Sequence, residues 1–193
     1  EPEVTRGVMG AGEDGAGGEK VEAKIDPKKD TRVAGFLYGV DADISDNTMW
    51  FAKTAPFPTG LIKFMPGNNP PETCMSEFYE PPKLPNSELY AAHSTHAVSV
   101  DSKGVAWASF GSGQLGRFDR SKCKVKNGAS IVDGQHCPEG WSLFDTPGPK
   151  MPGTRAGSAD YSYYMWVDIY DTLGLGKDVP IVAGSNSDSL LAF

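Results

Sequence analysis

Apolar and polar positions alternate over short runs along most of the chain, and those runs recur in a fixed order. His96-Ala97-Val98-Ser99-Val100 is followed by Asp101-Ser102-Lys103-Gly104, by a run around Trp107, by Leu115-Gly116-Arg117-Phe118, and by Leu143-Phe144 ahead of Pro147. Period-two alternation predicts half-buried strands, and clusters of Asp, Ser and Gly predict the turns between them. The same landmarks come earlier as Asp43-Ile44-Ser45-Asp46, Trp50, Gly60-Leu61-Ile62-Lys63-Phe64, and Phe78-Tyr79 running into Pro81. A third copy begins near Tyr161, where Val182-Ala183 and Ser189 to Phe193 match Trp107-Ala108 and Gln114 to Phe118 without a gap. Helix-period runs are nearly absent. The one candidate helical turn, Val167 to Leu175, reads equally well as a strand with a long insertion.

Self-similarity in a fixed order of strands predicts a repeat architecture, in which one unit buries its apolar face only against its neighbours. Four antiparallel strands per unit is the pattern of an all-β β-propeller blade. Residues 38–90 and 91–154 each read as one blade, residues 155–193 as an incomplete one, and residues 1–37 as a loop and edge strand of a preceding blade, around Val21, Ala23 and Ile25. About two to three blades cannot close a ring of about four to eight, so the expectation is part of a larger six- or seven-bladed ring. The third copy breaks off in an apolar strand. That predicts continuation beyond Phe193, with assembly of two copies as the alternative. In both cases open edge strands await the remainder of the propeller or another chain.

Composition narrows the function classes. The net charge is −7, and no stretch gathers Lys and Arg into a phosphate-binding stripe, so nucleic acid is not an expected partner. No run reaches the roughly 20 apolar residues of a membrane span. Cys123 and Cys137 bracket a polar, Gly-containing segment that calls for a tie. A disulfide there, against the alternative of two thiols in a surface loop, implies a periplasmic or secreted protein. Cys74 is left odd.

The run from His96 to Cys123, HAVSVDSKGVAWASFGSGQLGRFDRSKC, resembles the blade signature of virginiamycin B lyase-like propellers: a His-containing strand, an Asp-Gly turn, a Trp-Phe strand, then Ile-Gly-Arg-Phe-Asp-Pro. Residues 43–82 resemble it more loosely, and residues 161–193 in their second half. The Pro-His-Gly triplet that opens the family's blade is missing here. The resemblance implies that His96 falls where the family repeats a histidine, one of which does acid/base chemistry near a bound magnesium ion.

Three sets of candidate site residues follow. His93 and His96 precede or open the inner strand of the second unit, where an imidazole is suited to be a base or a ligand; a hydrogen-bonded structural role is the alternative. Tyr38 and Tyr163 occupy the position of His96 in the other copies, with Tyr161, Tyr164 and Trp166 beside the latter. Aromatic rings converging on a channel mouth suit a flat or sugar-like ligand, and core packing is the competing role. Asp43 and Asp168, with Asp41 and Asp160, are oxygen donors fit for a divalent metal, Mg or Ca, or simply solvated turn carboxylates. Trp50, Trp107 and the pairs Leu61-Phe64, Leu115-Phe118 and Leu190-Phe193 are expected in the core between blades. The expected function is an extracytoplasmic ligand-binding or protein-interaction scaffold. The alternatives are a lyase-type enzyme with His96 as base and a divalent metal, and a structural subunit of a larger assembly.

Overall fold

Each unit begins with a hairpin whose turn is locked by its first carboxylate. Asp101 accepts hydrogen bonds from the amides of Lys103 and Val105 at 2.9 and 3.0 Å, and the Trp107 indole N–H reaches its other oxygen at 3.4 Å. Asp43 repeats the device, with the Ser45 amide at 3.1 Å and the Trp50 indole at 3.3 Å. An aspartate that satisfies turn amides and then a tryptophan on the returning strand sets the hairpin register. The computed structural model describes residues 35–70, 73–126, 134–150, 158 and 160–193. The edge strand expected near Val21 to Ile25 lies outside them.

Within these residues the chain is all-β, in antiparallel sheets that follow sequence order. The first holds β1 (Phe36–Asp43), β2 (Thr48–Ala55), β3 (Gly60–Met65) and β4 (Met75–Tyr79). The second holds β5 (Thr95–Val100), β6 (Ala106–Phe110), β7 (Gln114–Phe118) and β8 (Trp141–Asp145). The third holds β9 (Ser162–Asp168), β10 (Val179–Gly184) and β11 (Ser189–Ala192). The segment from Val167 forms no helix: β9 ends at Asp168, which accepts the amides of Thr172 and Leu173 at 2.9 Å and folds the insertion into turns.

The sheets stack face to face. Trp50, Leu61 and Tyr79 of the first pack against Val98, Phe110, Phe118 and Trp141 of the second. On its other side, Ala97, Leu115 and Trp107 of the second meet Met165, Val167 and Val182 of the third. Trp50 is wholly buried, as expected, while Trp107 is partly buried against the second cluster. The first strands of successive sheets are stitched by hydrogen bonds. Asp41 Oδ2 accepts from the Ser99 hydroxyl at 2.9 Å and the Val100 amide at 2.8 Å, and Ser99 Oγ in turn accepts from the Val167 amide at 3.0 Å. Gly39 makes this approach feasible, since a Cβ there would sit 2.9 Å from Ala97 Cα and the His96 carbonyl oxygen.

Two details correct the sequence reading. Gly184 pairs Ser189 whereas Phe110 pairs Gln114, so the β10–β11 turn (185–188) is one residue longer than the β6–β7 turn (111–113). The ungapped match therefore slips by one in β10. Ile181, which faces Trp166 as Trp107 faces Ser99, takes the tryptophan slot instead of Val182. Leu190 and Phe193 are not core residues: they are 66% and 39% exposed, because the face and edge they occupy have no sheet over them among the described residues.

A second clamp joins the first two sheets. Glu77 on β4 is wholly buried, and Arg120, in a 3-10 turn at Arg120–Lys122, donates to both its oxygens from Nε and Nη2 at 2.6 Å. The Tyr79 hydroxyl also donates to Glu77. Cys123 and Cys137 form the expected disulfide, which fastens this turn to the one before β8.

Candidate functional site

Each first strand carries an irregularity at the same place. Between Leu37 and Val40, β1 advances three residues while β2 moves two, from Lys53 to Phe51. The same surplus residue occurs between Thr95 and Val98 on β5 and between Ser162 and Met165 on β9. A bulge re-aims the side chains it contains. Those side chains are Tyr38, His96 and Tyr163, the positions that the repeat aligns.

The bulges turn these rings toward one another across the three sheets. Ring centroids lie 5.2 Å apart for Tyr38 and His96, 5.6 Å for Tyr38 and Tyr163, and 4.7 Å for His96 and Tyr163. The Tyr38 and Tyr163 hydroxyls are hydrogen-bonded at 2.6 Å. Tyr161 joins edge-on to His96, and Tyr164 packs on Tyr163 at 4.8 Å. Phe36, 54% exposed, flanks Tyr38. Beside them Phe36, Tyr38, Val40 and Phe51 line a small apolar recess of about 240 Å³.

Both ring nitrogens of His96 have polar neighbours. His96 Nδ1 lies 3.2 Å from the Ser94 carbonyl oxygen, and the Tyr161 hydroxyl lies 2.7 Å from both Nδ1 and Nε2. Tyr38 and Tyr161 stay protonated at neutral pH. Burial, with Tyr163 nearby, pushes the Tyr161 hydroxyl up, and the hydrogen bond to Tyr163 pushes Tyr38 well up. Among the described residues the cluster thus offers aromatic faces, hydroxyls and one occupied imidazole, and no carboxylate.

The other candidates lie apart from it. His93 precedes β5, with its amide on the Ser112 hydroxyl at 2.9 Å and its ring beside Ser94. Trp166, three residues past Tyr163, lines a different groove of about 540 Å³ with Ala42, Val100, Tyr170 and Leu173. Asp41 belongs to the inter-sheet stitching. Asp160 is buried beside Gly148 and Gly184, with one oxygen accepting the Asn186 amide at 3.1 Å.

Asp43 and Asp168 end β1 and β9 and serve their own turns. Asp43 also accepts from Lys63 Nζ at 3.1 Å, and Lys63 reaches Asp46 at 2.7 Å. Burial pushes the Asp43 carboxyl up, but hydrogen bonds from Ser45 and Lys63 outweigh it and hold the group below the usual range. The amides of Thr172 and Leu173 lower Asp168 likewise. Among the described residues no group of three or more His, Cys, Asp or Glu side chains is placed to hold a metal ion. A carboxyl depressed in the folded state stabilises the fold above its unfolded pKa of about 4 and loses that contribution as pH falls through its folded value. Asp43→Asn is therefore expected to flatten the loss of stability as pH falls below about 4, read as urea midpoints against pH. An acid limb identical to that of the parent chain would refute it.

Sequence reasoning found the aligned aromatic positions but missed the bulges and Tyr161 as the partner of His96. A surplus residue leaves no mark in an alternating pattern this short. The chain was compared with models of protein families, with curated proteins and with solved structures. It matches none of them. Among the described residues no helix is long and apolar enough to cross a membrane.

Proposed function

We propose that the chain is part of an extracytoplasmic β-propeller of the virginiamycin B lyase-like kind, and that its first-strand cluster binds a small flat or sugar-like ligand without turning it over. One observation carries this reading: three bulged first strands, each from a different sheet, bring Tyr38, His96 and Tyr163 into mutual contact. Serial four-stranded meanders whose first strands pack together are how propeller blades surround a channel, and such a channel collects one side chain per blade. Tyr38 and Tyr164 remain 40% and 62% exposed, leaving ring faces for stacking and hydroxyls for hydrogen bonding. The disulfide favours a periplasmic or extracellular setting.

Binding is preferred to lyase chemistry because both ring nitrogens of His96 have polar neighbours and the Tyr38 and Tyr161 phenols are held neutral. The lyase reading, with His96 as base and a divalent metal, retains one favourable observation: His96 lies at the centre of the cluster. A panel of neutral oligosaccharides, titrated against tyrosine and tryptophan emission, tests both. Tyr163→Ala is expected to weaken binding at least tenfold, about 1.4 kcal/mol, with an unchanged circular dichroism spectrum. Equal affinity in that variant sinks the binding reading. Substrate processing that His96→Ala abolishes and a chelator suppresses would put the lyase in its place.

A further inference from the structure

One carboxylate at the junction of the second and third sheets is left short of partners. Asp160, just ahead of β9, is 1% exposed; its Oδ1 accepts the Asn186 amide at 3.1 Å, while Oδ2 has no hydrogen-bond partner among the described residues. None of the ion pairs between those residues includes it. Two residues on, Ser162 Oγ is wholly buried and equally without a partner among them. Burying a carboxylate oxygen with nothing to bond is costly, and a bound cation is one way a fold compensates it.

Two glycines keep a notch beside that oxygen. A Cβ on Gly148 would lie 2.7 Å from Asp160 Oδ2 and 3.3 Å from Ser158 Oγ, and one on Gly184 would lie 3.0 Å from Oδ2 and against Ser187 Oγ. Gly184 is the register partner of Ser162, so the Ser162 side chain stands on the same face of the third sheet as that missing Cβ. The hydroxyls bring lone pairs to the notch. Thr146 Oγ1 donates to the Gly113 carbonyl oxygen at 3.1 Å, so Ser158 donates to Thr146, and Ser158 Oγ also accepts the Asp160 amide at 3.1 Å. Its proton is therefore spent away from Asp160. Ser187 Oγ donates to the Gly184 carbonyl oxygen at 3.4 Å, and Ser187 is exposed, which opens a way in from solvent. Carboxylate and hydroxyl oxygens gathered at one place are the donors of a hard cation. With one carboxylate among them they balance a single positive charge, and a divalent ion would keep a net charge buried.

We infer that Asp160 Oδ2, with the hydroxyl oxygens of Ser158, Ser162 and Ser187, forms a site for one sodium ion, which ties the end of the second sheet, at Thr146 to Gly148, to the β10–β11 turn of the third. The inference is independent of what the aromatic cluster binds and of how many sheets the whole protein has. Urea midpoints are expected to be higher in sodium chloride than in tetramethylammonium chloride of equal ionic strength, because an ion that binds the folded state alone stabilises it. The sodium NMR line is expected to broaden when the protein is added. Asp160→Asn should abolish both effects, as should Gly148→Ala, which sets a methyl in the notch, each with the strand signal in circular dichroism intact. Ser162→Ala should need several times more sodium for the same rise in midpoint, and this comparison decides the matter if Asp160→Asn does not fold. Equal midpoints of the parent protein in the two salts overturn the inference and leave the oxygen to a bridging water. A sodium effect that survives in Asp160→Asn also overturns it. So does a larger rise in calcium chloride at equal ionic strength that is lost with Asp160.

Discussion

Arg120→Ala is expected to cost about 3 kcal/mol of stability, the low end for breaking a buried ion pair. Glu77 is wholly buried and takes two charge-assisted hydrogen bonds from the guanidinium fork, while Arg120 itself is 24% exposed on its outer side. Water can follow the truncated side chain in, which keeps the cost below that of a fully enclosed pair. Arg120→Lys should recover only part of the loss, since an ammonium cannot address both oxygens in the fork geometry. Pairing Arg120→Ala with Glu77→Gln should recover more, because the charge that needs compensation is gone. Urea midpoints of the three proteins read this directly. A change of less than about 0.5 kcal/mol in Arg120→Ala, the range of an ordinary surface substitution, would refute the role given to the clamp.

The Cys123–Cys137 bridge is expected to have an effect of similar size and to be coupled to the first. It closes a separation of 14 residues, for which loss of chain entropy in the unfolded state gives about 3 kcal/mol. Its first cysteine also ends the 3-10 turn that carries Arg120, with the Cys123 amide on the Arg120 carbonyl oxygen at 3.1 Å. Opening the bridge therefore loosens the backbone that aims the guanidinium. Cys123→Ser with Cys137→Ser should lower the urea midpoint, and Arg120→Ala should then cost less than it does in the bridged protein. Neighbouring groups that share a backbone segment are where additivity fails. Strictly additive losses would mean that the turn holds its shape without the bridge.

How far the sequence reached can be judged residue by residue. Asp101 and Trp107 were legible as turn and strand because the order of aspartate, turn and tryptophan recurs at Asp43 and Trp50, with the turn one residue longer there, and the indole of each tryptophan bonds its own turn aspartate. Cys123 and Cys137 were legible because a polar excursion between two cysteines has few other uses. Tyr38, His96 and Tyr163 were aligned by the repeat, yet nothing local said that they would touch. Their convergence depends on bulges and on how three sheets pack, both non-local. Ile181 was misjudged for a single added turn residue, which a pattern of period two cannot register when a strand offers small apolar residues on both faces. Leu190 was misjudged because hydrophobicity reports what a side chain can be buried against, not whether a neighbour is there.

The bulges also divide labour within each first strand. Val40, Val98 and Met165 lie just past them and hold the strand to its sheet, while the bulged residue contributes little to that pairing. The three positions 38, 96 and 163 therefore behave like interchangeable sockets around one spot, each fed by a separate sheet. Exchanging the histidine with either tyrosine would rotate the hydrogen-bonding pole of the cluster from one sheet to another, with the scaffold left as it is. If the cluster binds a ligand as proposed, its preference would change by substitutions at these three positions, with no repacking of the core.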